Sequence, residues 1–136
     1  MSTKLNTILL IDDDLTINYY HNRLIEKSSI TTNIAISKNG KDGLDSFVQL
    51  NNQIEGEDMA IVFLDLNMPI MNGWEFLDNI SKIKEGIKMN YKIYILSSSI
   101  NPDDKKKAKE NVLVTGFLTK PLTKEYLELL KTEHLQ

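Results

Sequence analysis

Four places along the chain put chemically capable side chains directly after short apolar runs. The run ending at Ile11 is followed by Asp12-Asp13-Asp14. The run ending at Leu64 is followed by Asp65, then Asn67, Met68-Pro69 and Asn72-Gly73. Ser97-Ser98-Ser99 follows Leu96, and Thr119-Lys120-Pro121 follows Leu118. Each has an ordinary explanation on its own, since Asp and Ser are common turn residues and Lys-Pro is a common helix entry. Their recurrence at successive run ends points to chemistry. Carboxylates crowded into one basin repel and raise each other's pKa unless a cation offsets them. Mg²⁺ suits such a basin, because it takes oxygen ligands and usually needs one or two carboxylates plus phosphate oxygens. Lys120 would add a mobile point charge for a phosphoryl oxygen, and a Ser hydroxyl could donate to another. An Asp carboxylate can itself attack phosphorus. Such a set supports phosphoryl transfer, in which positioning and charge compensation supply most of the catalysis.

The elements that must position these groups alternate. Apolar runs at Thr7–Ile11, Thr32–Ile36, Met59–Leu64, Lys92–Leu96 and Val112–Leu118 read as strands. The first, third and fourth are nearly continuous in large apolar residues, as strands buried on both faces are. Between them lie helical patterns. Leu15–Lys27 sets Ile17, Tyr20, Leu24 and the stem of Lys27 along one side, and Gly40–Asn52 sets Leu44, Phe47, Val48 and Asn51. Gly73–Lys84 sets Trp74, Leu77, Ile80 and Ile83 at helical offsets. Pro102–Asn111 has little apolar content beyond Ala108, and Leu122–Lys131 carries Tyr126, Leu127 and Leu130. Asn101 and Thr123 are caps for the last two helices. Residues 84–91 read as a longer loop or an extra helical turn. Five strand–helix alternations predict an α/β domain, a doubly wound five-stranded parallel sheet with right-handed crossovers. In such sheets function gathers at the C-terminal ends of the strands, where the residues above fall.

Composition narrows the function classes. The 136 residues are 41% hydrophobic and 26% charged, with no cysteine and a net charge of −3. One domain, 1–136, is expected from the size. The lack of cysteine removes disulfides and thiolate chemistry. The acidic balance argues against a nucleic-acid surface, and no run approaches a membrane span, so a cytoplasmic protein is the default. The basic run Lys105-Lys106-Lys107 with Lys109 reads as a solvated helix face that could also dock a protein. No glycine-rich phosphate cradle ending in Lys-Ser/Thr occurs, so nucleotide binding is unsupported. His21 and His134 lie away from the run ends and receive no catalytic or zinc role; His21 is read as structural or exposed.

ILLIDDD, FLDLNMPIMNG, YILSSS and GFLTKP, in this order and at these intervals, resemble the receiver domain of two-component response regulators across nearly the whole chain. The resemblance implies the (βα)5 flavodoxin-like receiver fold, either as a stand-alone, chemotaxis-regulator-like domain or as a domain excised from something larger; the Met1 start and the tail favour the stand-alone form. It implies that Asp65 is the phosphoryl acceptor. Asp12 and Asp13 would form the acidic pair for Mg²⁺, with Mn²⁺ able to substitute. Asp13 would ligate directly, Asp12 through water, and Asn67 through its backbone carbonyl. Ser97 and Lys120 would contact the phosphoryl group, Ser97 and Phe117 would form the switch, and the Lys120–Pro121 bond would be cis. The implied partners are a histidine kinase or histidine phosphotransfer protein, and a downstream target or phosphorelay partner. A homodimer through the fourth helix, fifth strand and fifth helix is a further expectation, with no nucleic acid and no membrane.

Three residues depart from the family's commonest pattern. Asp14 replaces a frequent Glu, Ser98 replaces a small residue, and Gly43 replaces a common Ala. Gly43 is expected to cost its helix up to about 1 kcal/mol. The rival readings are a phosphorylation-independent pseudo-receiver, a Mg²⁺-dependent phosphohydrolase, and a flavodoxin-like electron carrier. A phosphohydrolase of that kind typically has a second Asp where this chain has Asn67. An electron carrier needs a phosphate-binding first loop, which Asp12-Asp13-Asp14 would repel.

Overall fold

The structure, a computed structural model, describes residues 5–31 and 33–134. Its elements alternate as β1 (Leu5–Ile11), α1 (Leu15–Ser28), β2 (Ile34–Ser37), α2 (Gly40–Gln53), β3 (Met59–Leu64), α3 (Gly73–Lys82), β4 (Asn90–Ser97), α4 (Pro102–Glu110), β5 (Val114–Thr119) and α5 (Lys124–His134). The strands form one sheet in the order β2-β1-β3-β4-β5, and every pairing is parallel. This is the expected doubly wound fold. All six residues of β3 are buried, which explains its unbroken apolar sequence.

Alternate strand residues supply two cores. Leu9, Ile11, Val62, Leu64, Ile93 and Ile95 pack with Phe47 of α2 and with Phe76, Leu77 and Ile80 of α3. On the other face, Ile8, Leu10, Ile61 and Phe63 pack with Ile25 of α1 and with Leu127 and Leu130 of α5. The strand order reverses direction between β1 and β3. Their C-terminal ends are therefore adjacent, with helices on opposite faces leaving an open crevice.

Several expectations are corrected. The inward face of α1 is Asn18, His21, Ile25 and Ser28, turned by about one residue from the apolar stripe read in the sequence. The polar members each have a backbone partner: Asn18 donates to the Asp12 carbonyl, though its Oδ1 is buried without a hydrogen bond among the described residues, Ser28 donates to the Ile25 carbonyl, and His21 accepts from Leu122 N–H. Asn51 does not pack as an apolar-face residue. Its amide pins the segment after α3, accepting from Lys88 and Met89 N–H and donating to the Gly86 carbonyl. That segment includes a 3₁₀ turn at Lys84–Gly86, so α3 ends at Lys82 and not at Lys84.

β5 begins at Val114 because Asn111 closes a turn, its side chain accepting from Leu113 N–H and its carbonyl from Val114 N–H. Val112 is left 87% exposed. α5 starts at Lys124, after Thr123, whose hydroxyl accepts from Tyr126 N–H. The Asn101 cap is present, its side chain accepting from Asp103 N–H. Thr32, expected to open the second strand, lies outside the described residues, as does the side chain of His134.

Gly43 also differs from expectation. A Cβ there would lie 2.6 Å from Ile11 Cδ1 and 2.9 Å from Ile11 Cγ2. Ile11 is fully buried, so α2 approaches β1 closely only because this residue has no side chain. Helix propensity favours Ala by about 1 kcal/mol, but overpacking of a close-packed core typically costs about 1–3 kcal/mol. Gly43→Ala is therefore expected to lower stability by about 1 kcal/mol in urea denaturation. Gly86→Ala, where a Cβ meets nothing within 4 Å, is expected to stay within about 0.5 kcal/mol of the parent. Stabilisation by Gly43→Ala would show that α2 can move away from β1 at little cost.

Candidate functional site

The crevice between β1 and β3 receives side chains from three strand ends. Asp12 follows β1 and its N–H donates to the Ser37 carbonyl, 3.0 Å. Asp65 follows β3 and its N–H donates to the Ile11 carbonyl, 2.9 Å. These two ladder bonds hold the two acids side by side, both buried. One carboxylate oxygen each from Asp12, Asp13 and Asp65 lie within 4.8 Å of one another. Asp13 is exposed, at the mouth of the cluster. Asp14 is not part of it. Its carboxylate caps α1, accepting from Thr16 and Ile17 N–H, while its own N–H donates to Asp12 Oδ1.

Lys120, after β5, reaches across the crevice. Its Nζ lies 2.5 Å from Asp12 Oδ2 and 3.2 Å from Asp65 Oδ1. Burial alone would lower the Lys120 pKa, but the hydrogen bond and charge of Asp12, joined by Asp65, outweigh it and raise the pKa. The ammonium is thus firmly protonated. Asp65 shifts up as well: burial is the largest cause, the Asp12 charge adds to it, and Lys120 offsets only part.

The loop after Asp65 is shaped by its backbone. Gly73 N–H donates to the Leu66 carbonyl, 3.0 Å, and Gly40 N–H to the Met71 carbonyl, 2.9 Å. A Cβ on Gly73 would collide with the Asp65 carbonyl oxygen, and one on Gly40 with that of Met71. Both glycines therefore permit close backbone contact. Ile70 sits at φ 69°, a left-handed conformation that costs a β-branched residue of order 1–3 kcal/mol. Asn72 then caps α3 in a reciprocal pair with Glu75.

The structure places the remaining candidates as follows. Asn67 is exposed, two residues past Asp65. Ser97 is buried at the end of β4; its Oγ accepts from Ser99 N–H, and its carbonyl accepts from Lys120 N–H, 3.0 Å. Among the described residues no hydrogen bond joins Ser97 Oγ to Asp65. Ser98 is exposed. Phe117 is half-buried on β5, against the core beneath α4. The Lys120–Pro121 bond is cis. Asp12, Asp13, Asp65 and Lys120 are thus brought together, and Ser97 meets Lys120 through its backbone carbonyl.

Sequence reading missed Asn18 and His21. Asn18 Nδ2 donates to the Asp12 carbonyl at 2.8 Å, and His21 Nε2 accepts from Leu122 N–H at 3.0 Å. Their spacing of one helical turn, on the face next to the first strand end, was the available signal.

A doubly wound sheet with this strand order, and with carboxylates and a lysine at its switch point, defines the class of receiver-like α/β domains. The chain belongs to the family described as Response regulator receiver domain, which matches residues 8–131; these are domains of two-component signal transduction. The chain is 33% identical over 128 residues to the nitrate/nitrite response regulator protein NarL of Escherichia coli (strain K12), covering 94% of this chain and 53% of that protein. It is 28% identical over 117 residues to two-component response regulator 24 of Arabidopsis thaliana, covering 86% of this chain and 75% of that protein. The chain spans about half the length of the first of these relatives. The crystal structure of a two component response regulator from Cytophaga hutchinsonii superposes with a TM-score of 0.81 at 29% identity, covering 97% of this chain and 98% of that one. No helix among the described residues is long and apolar enough to cross a membrane.

His21 carries a measurable pH signature. Burial, then the Lys120 charge, lowers its pKa from 6.5 to about 4. The unfolded chain therefore binds this proton where the folded protein does not. Stability from this residue is complete above pH 6.5 and is lost as pH falls toward 4. The loss amounts to roughly 3 kcal/mol once the folded state is also protonated. Urea midpoints are expected to fall more steeply between pH 6.5 and 4 for the parent than for His21→Gln, which has no proton to bind. Parallel pH profiles would contradict the assignment.

Proposed function

We propose that this chain is a phosphoacceptor switch in which Asp65 takes a phosphoryl group from the phosphohistidine of a histidine kinase or phosphotransfer protein. The observation that carries this reading is the convergence of Asp12, Asp13 and Asp65 around Lys120. An Asp65 oxygen attacks phosphorus, the P–O bond forms, the P–N bond breaks, and the donor's imidazole, protonated on its other ring nitrogen, leaves with the electron pair as a neutral group. Water later attacks the aspartyl phosphate, releasing phosphate and regenerating the carboxylate, which is a slow self-dephosphorylation.

The donor set fits a hard divalent cation. It is all oxygen, and the three carboxylates outnumber the one ammonium. Asp12, Asp13 and the Asn67 carbonyl would hold Mg²⁺, or Mn²⁺ in its place. Bound there, the ion would supply charge neutralisation for the transferring group. Lys120 holds its ammonium against the acceptor carboxylate, where phosphoryl oxygens would arrive. Ser97, at the adjoining strand end, would turn its hydroxyl toward the modified Asp65, and Phe117 would repack behind it. The phosphohydrolase reading lacks support, because residue 67 supplies no carboxylate.

Output through α4, β5 and α5 completes the reading. A groove of about 650 Å³ runs between α4 and β5, with Lys105, Lys106 and Lys109 beside Val114 and Phe117. Phe117 thus borders both the switch and this face, which suits a downstream target, a phosphorelay partner or a second copy of the chain. Such a domain works in the cytoplasm.

Incubation with Mg²⁺ and acetyl phosphate, followed by intact-mass measurement, is expected to add one phosphoryl group. Asp65→Asn and chelation of the metal should each abolish the gain. A parent protein that stays unmodified with both acetyl phosphate and a cognate kinase would sink the proposal in favour of a phosphorylation-independent binding module.

A further inference from the structure

The β5–α5 segment that delivers Lys120 is anchored from two sides. Lys120 N–H donates to the Ser97 carbonyl at 3.0 Å, tying the segment to β4. Two residues later, Leu122 N–H donates to His21 Nε2 at 3.0 Å, tying it to α1. The second tie is unusual in its chemistry. Leu122 precedes α5, so its N–H has no partner in a helix or strand. Both Leu122 and His21 are nearly fully buried, His21 to 1% exposure, so water does not serve as the acceptor. An aliphatic residue at position 21 would fill the interior without the cost of burying a polar ring, but it would offer no acceptor.

Lys120 has a long, flexible stem, so where its ammonium sits depends on how firmly its backbone is held. One helical turn before His21, Asn18 grips the Asp12 carbonyl at 2.8 Å. Helix α1 therefore holds the backbone on both sides of the Lys120–Asp12 ion pair.

We propose that His21 is a positioning residue for phosphoryl transfer: by accepting from Leu122 N–H it fixes the segment that aims Lys120 at Asp12 and Asp65. His21 touches neither the acceptor carboxylate nor the incoming group, so it acts only through Lys120. This proposal rests on the phosphoacceptor reading of the pocket.

The test compares the parent with His21→Leu, which removes the acceptor, and His21→Gln, whose side-chain carbonyl can replace it. Rates of phosphorylation by acetyl phosphate are measured at saturating Mg²⁺, under conditions where every variant is folded. The side-chain ¹⁵Nζ and ¹³Cε resonances of Lys120 are recorded in parallel by NMR. His21→Leu is expected to slow phosphorylation about tenfold or more, the scale on which small misplacements act, and to move the Lys120 resonances toward those of exposed lysines. His21→Gln should return the rate to within about threefold of the parent and leave the resonances near their parent positions. A role in stability alone would lower the melting temperature of His21→Leu while leaving the Lys120 resonances in place, and that result would overturn the proposal. So would an unchanged rate in His21→Leu. Should His21→Leu fail to fold, His21→Asn, too short to reach Leu122, is judged by the same criteria. If the parent accepts no phosphoryl group, the phosphoacceptor reading fails. The positioning claim then stands or falls on the Lys120 resonances.

Discussion

The Lys120 ammonium, shared between Asp12 and Asp65, is the interaction on which this site depends. Two buried carboxylates at neighbouring strand ends repel, and burial already raises the Asp65 pKa. One cation facing both keeps them together in a single pocket. Removing Lys120 would leave both carboxylates buried without a cation, and an uncompensated buried charge typically costs about 3–5 kcal/mol. The sheet sets this up. Ile11 pairs with Leu64 in parallel register, so the next residue on each strand is an Asp. A one-residue slip of β3 would turn every side chain to the opposite face and separate the acids. The apolar runs thus specify the position of the charges as well as the core.

Around that centre, precision comes from backbone contacts that few side chains would allow. Gly73 lets the start of α3 lie against the Asp65 carbonyl, and Gly40 lets α2 meet the same loop at Met71. Helix α1 contributes polar groups where an amphipathic helix would ordinarily present only apolar ones. Asn18 and His21 hold the backbone at Asp12 and at Leu122. Asp65, the acids Asp12 and Asp13, and Lys120 are therefore each carried by the end of a separate strand. Phe117 lies on β5, half-buried against the core and lining the groove beside α4.

Much of this was legible in the sequence because the signals were local and periodic. Ile61–Leu64 announces a strand buried on both faces, and Asp65 ends it; Asn101-Pro102 and Thr123 announce helix starts. The five alternations fix the fold class through the handedness of crossovers. What stayed hidden depends on contacts distant in sequence. The inward face of α1 was misread because hydrophobicity points to Ile17, Tyr20 and Leu24, whereas burial of Asn18 and His21 depends on carbonyl and N–H groups at residues 12 and 122. Gly43 looked like a weak helix residue because propensity is a local quantity; its value lies in the approach of Ile11 across an element boundary. Residue type alone does not separate Asp14 from Asp12 and Asp13; the family pattern sets it outside the acidic pair, and the turn into α1 shows why, since its carboxylate caps the helix.

The central claim is that the acid delivered by β3, and no other in the cluster, carries the phosphoryl group. Site mapping tests it most directly. The protein is treated with acetyl phosphate and Mg²⁺, the aspartyl phosphate is reduced with borohydride to homoserine, and the converted residue is located by tandem mass spectrometry. The account predicts conversion at Asp65 alone. Conversion at Asp12 or Asp13, or phosphoryl incorporation that yields no converted Asp, would contradict it.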